Sequence, residues 1–370
     1  MKKICMLTTS EIYHDSRILN EAETLTSKYQ ITILARKYPE QKPAPKFPFE
    51  IKIIGFANFK SFKLNIFSSL MSLAKAAFRE NPDVFHAHDL DGLLCAFPAA
   101  LIKRKILVYD SHELWSESYP FENLRGIKWL LPILERILIW KVKAGITVNQ
   151  SIADYLEKKY HKQFIVLYNF PHFLNKPADF VLKKRFPGEI IILHLGAADE
   201  GRGLEQILKA AKYLSSRYKI VFLGGGKTEK QIKKLATKLK LGEKTVFLPP
   251  VQPEKIVPTI HGADLGLALT EKKSLSYYLS LPNKIFYYIA AEMPVLGSNF
   301  PEFKKIIIKD KVGETVDPSK PQVIAQKIIR MTKEQNRQKY RGNLQGLAAK
   351  KYNWQIQCQT LVSFYQKLLR

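Results

Sequence analysis

The chain alternates, twice over, between short apolar runs of strand length and longer segments with helical spacing. No other feature restricts the fold as strongly. In the first half, runs at 4–7, 31–35, 51–55, 84–88, 106–110, 145–148 and 164–167 read as strands. Between the first two, Ile18, Ala22, Leu25 and Tyr29 share one helical face. Another helix is expected after Ser151, with Asp154 completing a capping box. The stretch 169–188 breaks the rhythm with Pro171, Pro177, Pro187 and a basic run at 183–185, and it reads as a linker. A second series follows, with strands at 190–195, 219–223, 246–248, 265–269 and 295–297. Helices are expected at 204–214, 228–240, 254–260 and 282–291, and 320–369 reads as mostly helical. Such alternation predicts an α/β fold of βαβ units on doubly wound parallel sheets.

A chain of 370 residues with 46% hydrophobic residues holds two ordinary cores. The expected division is an N-terminal domain at 1–170, a linker at 171–188, a C-terminal domain at 189–350 and a terminal helix at 351–370. Two Rossmann-like domains in series should face each other across a cleft. Ligands of such sheets bind beyond the carboxyl ends of the strands, so strand-to-helix loops carry the information.

The formal charge of +26 favours anionic partners without choosing among nucleic acid, phosphorylated ligands and an anionic membrane surface. Nucleic acid is set aside, because no recognised binding motif is present and the lysines are spread along the chain. Cys5, Cys95 and Cys358 are distant from one another and odd in number, which supports neither a disulfide framework nor a zinc site and fits a reducing cytoplasm. The apolar run after Met1-Lys2-Lys3 is too short for a signal peptide, and no apolar run reaches the roughly 18–20 residues of a membrane span. The segment 126–143, rich in Leu, Ile and Trp, is read first as a core-packed helix, with a helix lying on a membrane as the alternative.

Three loops of the second half share one chemistry. Gly196 and then Gly201-Arg202-Gly203 follow one strand, Gly224-Gly225-Gly226-Lys227 follow the next, and Ser280-Leu281-Pro282-Asn283-Lys284 open a later helix. Helix N-termini attract anions, and glycines let the backbone approach a phosphate. A cation placed there is unfavourable unless an anion lies beside it, and Arg202, Lys227 and Lys284 all break that preference. Together they predict a polyanion site. None of the loops matches the phosphate-binding pattern of P-loop NTPases or the dinucleotide fingerprint.

In the first half, His14, Asp15 and Arg17 stand at a strand end and a helix start. Asp15 could cap the helix, while Arg17 could reach a phosphate or an acceptor. His86 and His88 share one face of a strand that ends at Asp89. A metal pair is the minority reading there, and an imidazole lining the cleft the favoured one. His112, in Asp110-Ser111-His112-Glu113, sits where a strand gives way to a loop and could hydrogen-bond a sugar or a phosphate.

These residues resemble the retaining family 4, or group 1, glycosyltransferases over nearly the whole chain. The resemblance rests on the order and spacing of several motifs. They are His14-Asp15-Ser16-Arg17-Ile18, Pro82-Asp83-Val84-Phe85-His86-Ala87-His88-Asp89 and Val108-Tyr109-Asp110-Ser111-His112-Glu113-Leu114, then Gly201-Arg202-Gly203-Leu204 and Leu281-Pro282-Asn283-Lys284-Ile285-Phe286. It implies a GT-B fold, a nucleotide-sugar donor on the C-terminal domain and a glycan or lipid-linked acceptor on the N-terminal one. It also implies a final helix that crosses back to the N-terminal domain. No cofactor or metal is implied, because basic residues neutralise the leaving diphosphate.

The expected donor-side residues are Gly196, Arg202, Gly224, Gly225, Asn283, Lys284 and Tyr287. His14, His88 and Asp89 are expected on the acceptor side, and His112, Asp15 and Arg17 as the catalytic group. The chain departs from the family pattern in its Glu-x7-Glu motif, where Leu279 and Tyr287 stand, and at Ala197, where an arginine often follows the glycine. Losing a charged hydrogen bond costs about 1.5–3 kcal/mol. That leaves a cytoplasmic glycosyltransferase, peripheral at the inner membrane face, as the leading expectation. A non-catalytic GT-B relative that binds nucleotide or glycan is the alternative.

Overall fold

The computed structural model describes residues 1–38, 46–119, 125–173 and 180–370. Part of the expected linker, 174–179 with Pro177, lies outside them. The chain forms two compact units. The first contains Met1–Asn169 and Gln357–Arg370, the second Phe170–Ile356.

The first unit is built on strands β1 (Lys3–Thr8), β2 (Gln30–Arg36), β3 (Glu50–Ile54), β4 (Val84–His88), β5 (Ile106–Ser111), β6 (Ala144–Thr147) and β7 (Phe164–Val166). They pair in the order β3-β2-β1-β4-β5-β6-β7, with every pair parallel. The second unit has β8 (Ile190–Leu195), β9 (Tyr218–Leu223), β10 (Thr245–Leu248), β11 (Leu265–Ala268), β12 (Val295–Ser298) and β13 (Gly313–Val316). Its order is β10-β9-β8-β11-β12-β13, again all parallel. All five residues of β4 and all six of β9 are buried, as strands covered on both faces require. In each sheet the winding direction reverses once, between β1 and β4 and between β8 and β11. The adjoining loops splay there and leave room for a ligand.

The apolar runs locate twelve strands. The thirteenth, β13, escapes the pattern because it is a short edge strand whose Glu314 and Thr315 are only partly buried. One cap differs from expectation. The helix Gln150–Tyr160 is capped by Asn149, whose side chain accepts from the Ile152 amide, while Asp154 binds the Gln150 side chain. Asn149 lies one residue before the helix in extended backbone, the geometry a cap requires. The basic run at 183–185 is not free linker either. It closes a short helix, Val181–Arg185, and Lys183 reaches Asp264 at 3.3 Å.

The segment 126–143 overturns the core-packed reading. Helix Arg125–Lys141 buries Glu135, Leu138 and Ile139, while Trp129 is 80% and Trp140 69% exposed. Glu135 faces inward because its carboxylate accepts from Tyr160 at 2.5 Å and lies near Tyr109 at 3.5 Å. Among the described residues, no helix is long and apolar enough to cross a membrane.

Candidate functional site

The carboxyl ends of β1, β4 and β5 bring one polar cluster together. Arg17, in the first turn of helix Ser16–Thr26, is 3% exposed and turned inward. It donates from Nε to Asp110 Oδ2 at 2.9 Å and from Nη2 to Asp110 Oδ1 at 2.7 Å. Its Nη1 donates to the Leu167 carbonyl at 2.6 Å. The expectation that Arg17 reaches a ligand is therefore corrected, since its guanidinium is occupied by Asp110 at the end of β5. Beside the guanidinium, Asp110 is held well below the usual carboxylate range against the cost of its burial. Glu21 Oε1 lies 3.1 Å from Arg17 Nε, yet burial and the charge of Asp110 push Glu21 well up. Arg17 thus lies beside two buried carboxylates whose proton affinities move in opposite directions.

His112 stands between two carboxylates. Its Nε2 donates to Asp110 Oδ2 at 3.0 Å, and its Nδ1 lies 3.4 Å from Asp89 Oδ2. The His112 amide also donates to Asp89 Oδ1 at 2.9 Å. Asp89 opens helix Asp89–Ile102 with φ at 58°, a strained conformation for a residue other than glycine, and this turns its carboxylate toward His112. Burial lowers the affinity of His112 for a proton, but Asp89 and Asp110 outweigh it and raise its pKa to about 10. Burial raises Asp89 to about 7 against the pull of His112. At neutral pH His112 is an imidazolium, partly exposed, with both ring nitrogens carrying protons.

His88 is 1% exposed and lies behind His112, its Nδ1 3.2 Å from Asp110 Oδ2. An acceptor-side contact for His88 is therefore corrected to a buried supporting one. His86 stacks on His88 with ring centroids 4.3 Å apart and shares a hydrogen bond of 2.8 Å with Tyr365. Burial keeps both imidazoles below the ordinary histidine value. Asp15 is the cap of its helix, accepting from the Ile18 amide at 3.3 Å. His14 is exposed and pairs with Glu11 at 2.6 Å.

Glu21, His86, His88 and Asp110 each present a ligand-type atom, all within 4.8 Å of one another. The donor set nevertheless suits a divalent cation poorly. Arg17 already pairs with Asp110 through two hydrogen bonds, and His112 Nε2 adjoins the same Asp110 Oδ2.

In the second unit, the loops after β8, β9 and β11 meet. Gly224 has φ of 144°, and a Cβ there would lie 2.4 Å from the Gly196 carbonyl oxygen. Gly226, with φ of 158°, would meet the Ala198 backbone at 2.5 Å in the same way. The two loops can touch only because both residues lack side chains. Gly225 adopts ordinary backbone, and a Cβ there would meet no closer atom than Glu229 Oε2 at 3.5 Å.

Lys284, at the start of helix Lys284–Ala290, runs along this junction. Its Cε lies 4.0 Å from the position a Gly196 Cβ would take, and its Nζ is 3.2 Å from His194 Nε2. Desolvation, and then the charge of Arg202, hold Lys284 well below the ordinary lysine value. Among the described residues, no carboxylate offsets that repulsion. Arg202 itself lies over the Tyr277 ring at 5.0 Å. Two half-buried cations thus adjoin one glycine-lined junction, and among the described residues neither is paired with a carboxylate. Asn283 is exposed at the head of its helix, and Tyr287 is half-buried, its hydroxyl pushed up by burial. Lys227 is exposed, and its amide donates to Asp199 at 3.0 Å.

Sequence reasoning did not single out Asp110, Glu21 or His194 as working residues. His194 carried a signal, as the one polar side chain inside the apolar strand Ile190–Leu195. Asp110 carried none, because its partner is 93 residues away in the chain.

Two family models match. "Glycosyltransferase Family 4" matches residues 16–170 and "Glycosyl transferases group 1" matches residues 176–345. No curated protein matches the chain. Solved structures share the fold at low identity. The sucrose-phosphate synthase of Thermosynechococcus elongatus superposes with a TM-score of 0.80 at 14% identity, covering 100% of this chain and 99% of that one. Anabaena HepE, in complex with UDP and glucose, gives 0.77 at 14% identity, covering 99% and 100%. S. aureus MnaA with UDP gives 0.64 at 13%, covering 100% and 97%.

Proposed function

The chain belongs to the group 1, family 4 glycosyltransferases of the GT-B fold, and from that premise we propose that it moves a sugar from a uridine-type nucleotide-sugar donor to a glycan or lipid-linked acceptor. The observation that carries the donor assignment is the uncompensated pair Arg202 and Lys284 beside the Gly196–Gly224 junction. Two adjoining cations with no anion repel each other, and a diphosphate between them turns that cost into binding. The similar solved structures of HepE and MnaA, both in complex with UDP, support uridine as the base.

The sugar–phosphate bond breaks as the acceptor oxygen bonds the anomeric carbon, and the acceptor proton leaves toward the departing diphosphate. Negative charge grows on that diphosphate, and Arg202 and Lys284 are preset for it. The reaction retains configuration in this reading and uses no metal, because protein cations take the place a divalent ion would fill. His112, held protonated by Asp89 and Asp110, keeps a fixed positive charge at the strand ends of the first unit. Asp110 and Arg17 act through His112 as positioning residues. The enzyme works in the cytoplasm at the inner membrane face.

Calorimetric titration with UDP and GDP, beside Arg202→Ala and Lys284→Ala, tests the donor site. UDP binding that disappears in both variants supports it. No binding of either nucleotide at millimolar concentration overturns it. The second reading, a non-catalytic relative, is favoured by Leu279 and Tyr287 at the motif carboxylates. It predicts UDP binding without turnover of any donor.

A further inference from the structure

Two helices of the first unit are built with their apolar sides outward. In Phe62–Arg79, the buried positions are Ser69, Leu73 and Ala77, while Phe67, Met71 and Phe78 are exposed. At the helical rotation of about 100° per residue, these three lie opposite the buried stripe. In Arg125–Lys141, the inward stripe contains Glu135, and the opposite side presents Trp129, Ile133 and Trp140. Both helices pack against the intervening helix Asp89–Ile102, so they belong to one layer on one face of the sheet. The end of that middle helix adds Ile102, 70% exposed. Exposed apolar side chains on neighbouring helices of one layer mark an interaction surface more often than bare solvent contact.

The charge around the patch chooses its occupant. Lys63, Lys75, Arg79, Arg104, Arg136 and Lys143 are exposed on or beside the same helices. The only acidic residue within the two outer helices is Glu135, which is 1% exposed and faces Tyr109 and Tyr160. A second copy of the chain would bring the same cations face to face. An anionic bilayer answers both halves of the pattern, because phosphate headgroups pair with the cations while Trp129 and Trp140 enter the boundary between headgroups and acyl chains. We propose that the layer formed by Phe62–Arg79, the end of Asp89–Ile102 and Arg125–Lys141 is a docking surface for an anionic lipid bilayer, on which the first unit lies without crossing. The proposal deepens the reading of a lipid-linked acceptor and rests on it only for the choice of membrane face.

Flotation of the full chain with phosphatidylcholine vesicles, and with vesicles containing 30% phosphatidylglycerol, tests the surface. The expected result is binding to the anionic vesicles that weakens as salt rises, with a blue shift and quenching of tryptophan fluorescence by brominated lipid. Trp129→Ser/Trp140→Ser and Phe67→Ser/Met71→Ser should each reduce vesicle binding at least tenfold, while UDP affinity and the circular-dichroism melt stay at wild-type values. Absence of binding to anionic vesicles by folded, UDP-binding protein overturns the proposal. So does a stable dimer that these same variants dissociate, since a second copy would then cover the surface. UDP binding is read separately, so failure of the surface is distinguishable from failure of the donor site.

Discussion

Arg17 grips Asp110 with two parallel hydrogen bonds, 2.9 and 2.7 Å long, across 93 residues of chain and with both side chains buried. The pair joins the first turn of a helix to the end of β5 and fixes the carboxylate on which His112 rests. Removing one partner of a buried ion pair leaves the other uncompensated, at about 3–5 kcal/mol. Arg17→Ala should lower stability by that amount in urea unfolding. Arg17→Lys should recover only part, because one ammonium cannot reproduce the paired contacts.

The raised pKa of His112 sets a pH dependence. A group bound more tightly to its proton in the folded state than in the unfolded one stabilises the fold fully below the unfolded value, about 6.5. That contribution is lost as pH rises through the folded value of about 10. The urea midpoint should therefore fall between pH 7 and 10, and less so in His112→Gln. Nuclear magnetic resonance of the His112 ring should find it protonated at pH 8.

Lys284 has the opposite sign. Its folded pKa is depressed, so below the folded value holding the charge costs stability, and the cost fades as pH rises from the folded value to the unfolded one. Lys284→Met should stabilise the nucleotide-free protein by about 0.5–2 kcal/mol while abolishing the rise in melting temperature on adding UDP. A variant that melts lower without nucleotide would count against the uncompensated-cation account.

Gly224 has no room for a methyl group, since a Cβ would lie 2.4 Å from the Gly196 carbonyl oxygen at φ of 144°. Gly224→Ala should cost about 1–3 kcal/mol and open the junction, weakening UDP binding more than Gly225→Ala does. Equal effects of the two would show that the close approach is not needed.

Tyr287→Glu restores a carboxylate where the family pattern carries one. With a ribose hydroxyl in reach, a charged hydrogen bond adds about 1.5–3 kcal/mol, roughly ten- to hundredfold in UDP affinity. Calorimetry reads this directly, and weaker binding would mean that the tyrosine already serves the site.

The amino-acid sequence by itself determined twelve of the thirteen strands, the strand-end loops and the family, because each is written in local periodicity or in motifs a few residues long. It also marked Arg202 and Lys284 as cations at helix starts that an anion would have to justify. Only the tertiary structure decided what those residues meet. Arg17, expected at a ligand, turns inward because Asp110 arrives from a different strand and offers a carboxylate that burial would otherwise penalise. Lys284 and Arg202 become a pair because parallel strands set their loops side by side. The helix Arg125–Lys141 shows the limit most plainly. Its spacing marks an apolar stripe, but periodicity is the same whether that stripe faces the core or the solvent. The choice fell to Glu135, whose hydrogen-bonding tyrosines wait inside, so Trp129 and Trp140 face out.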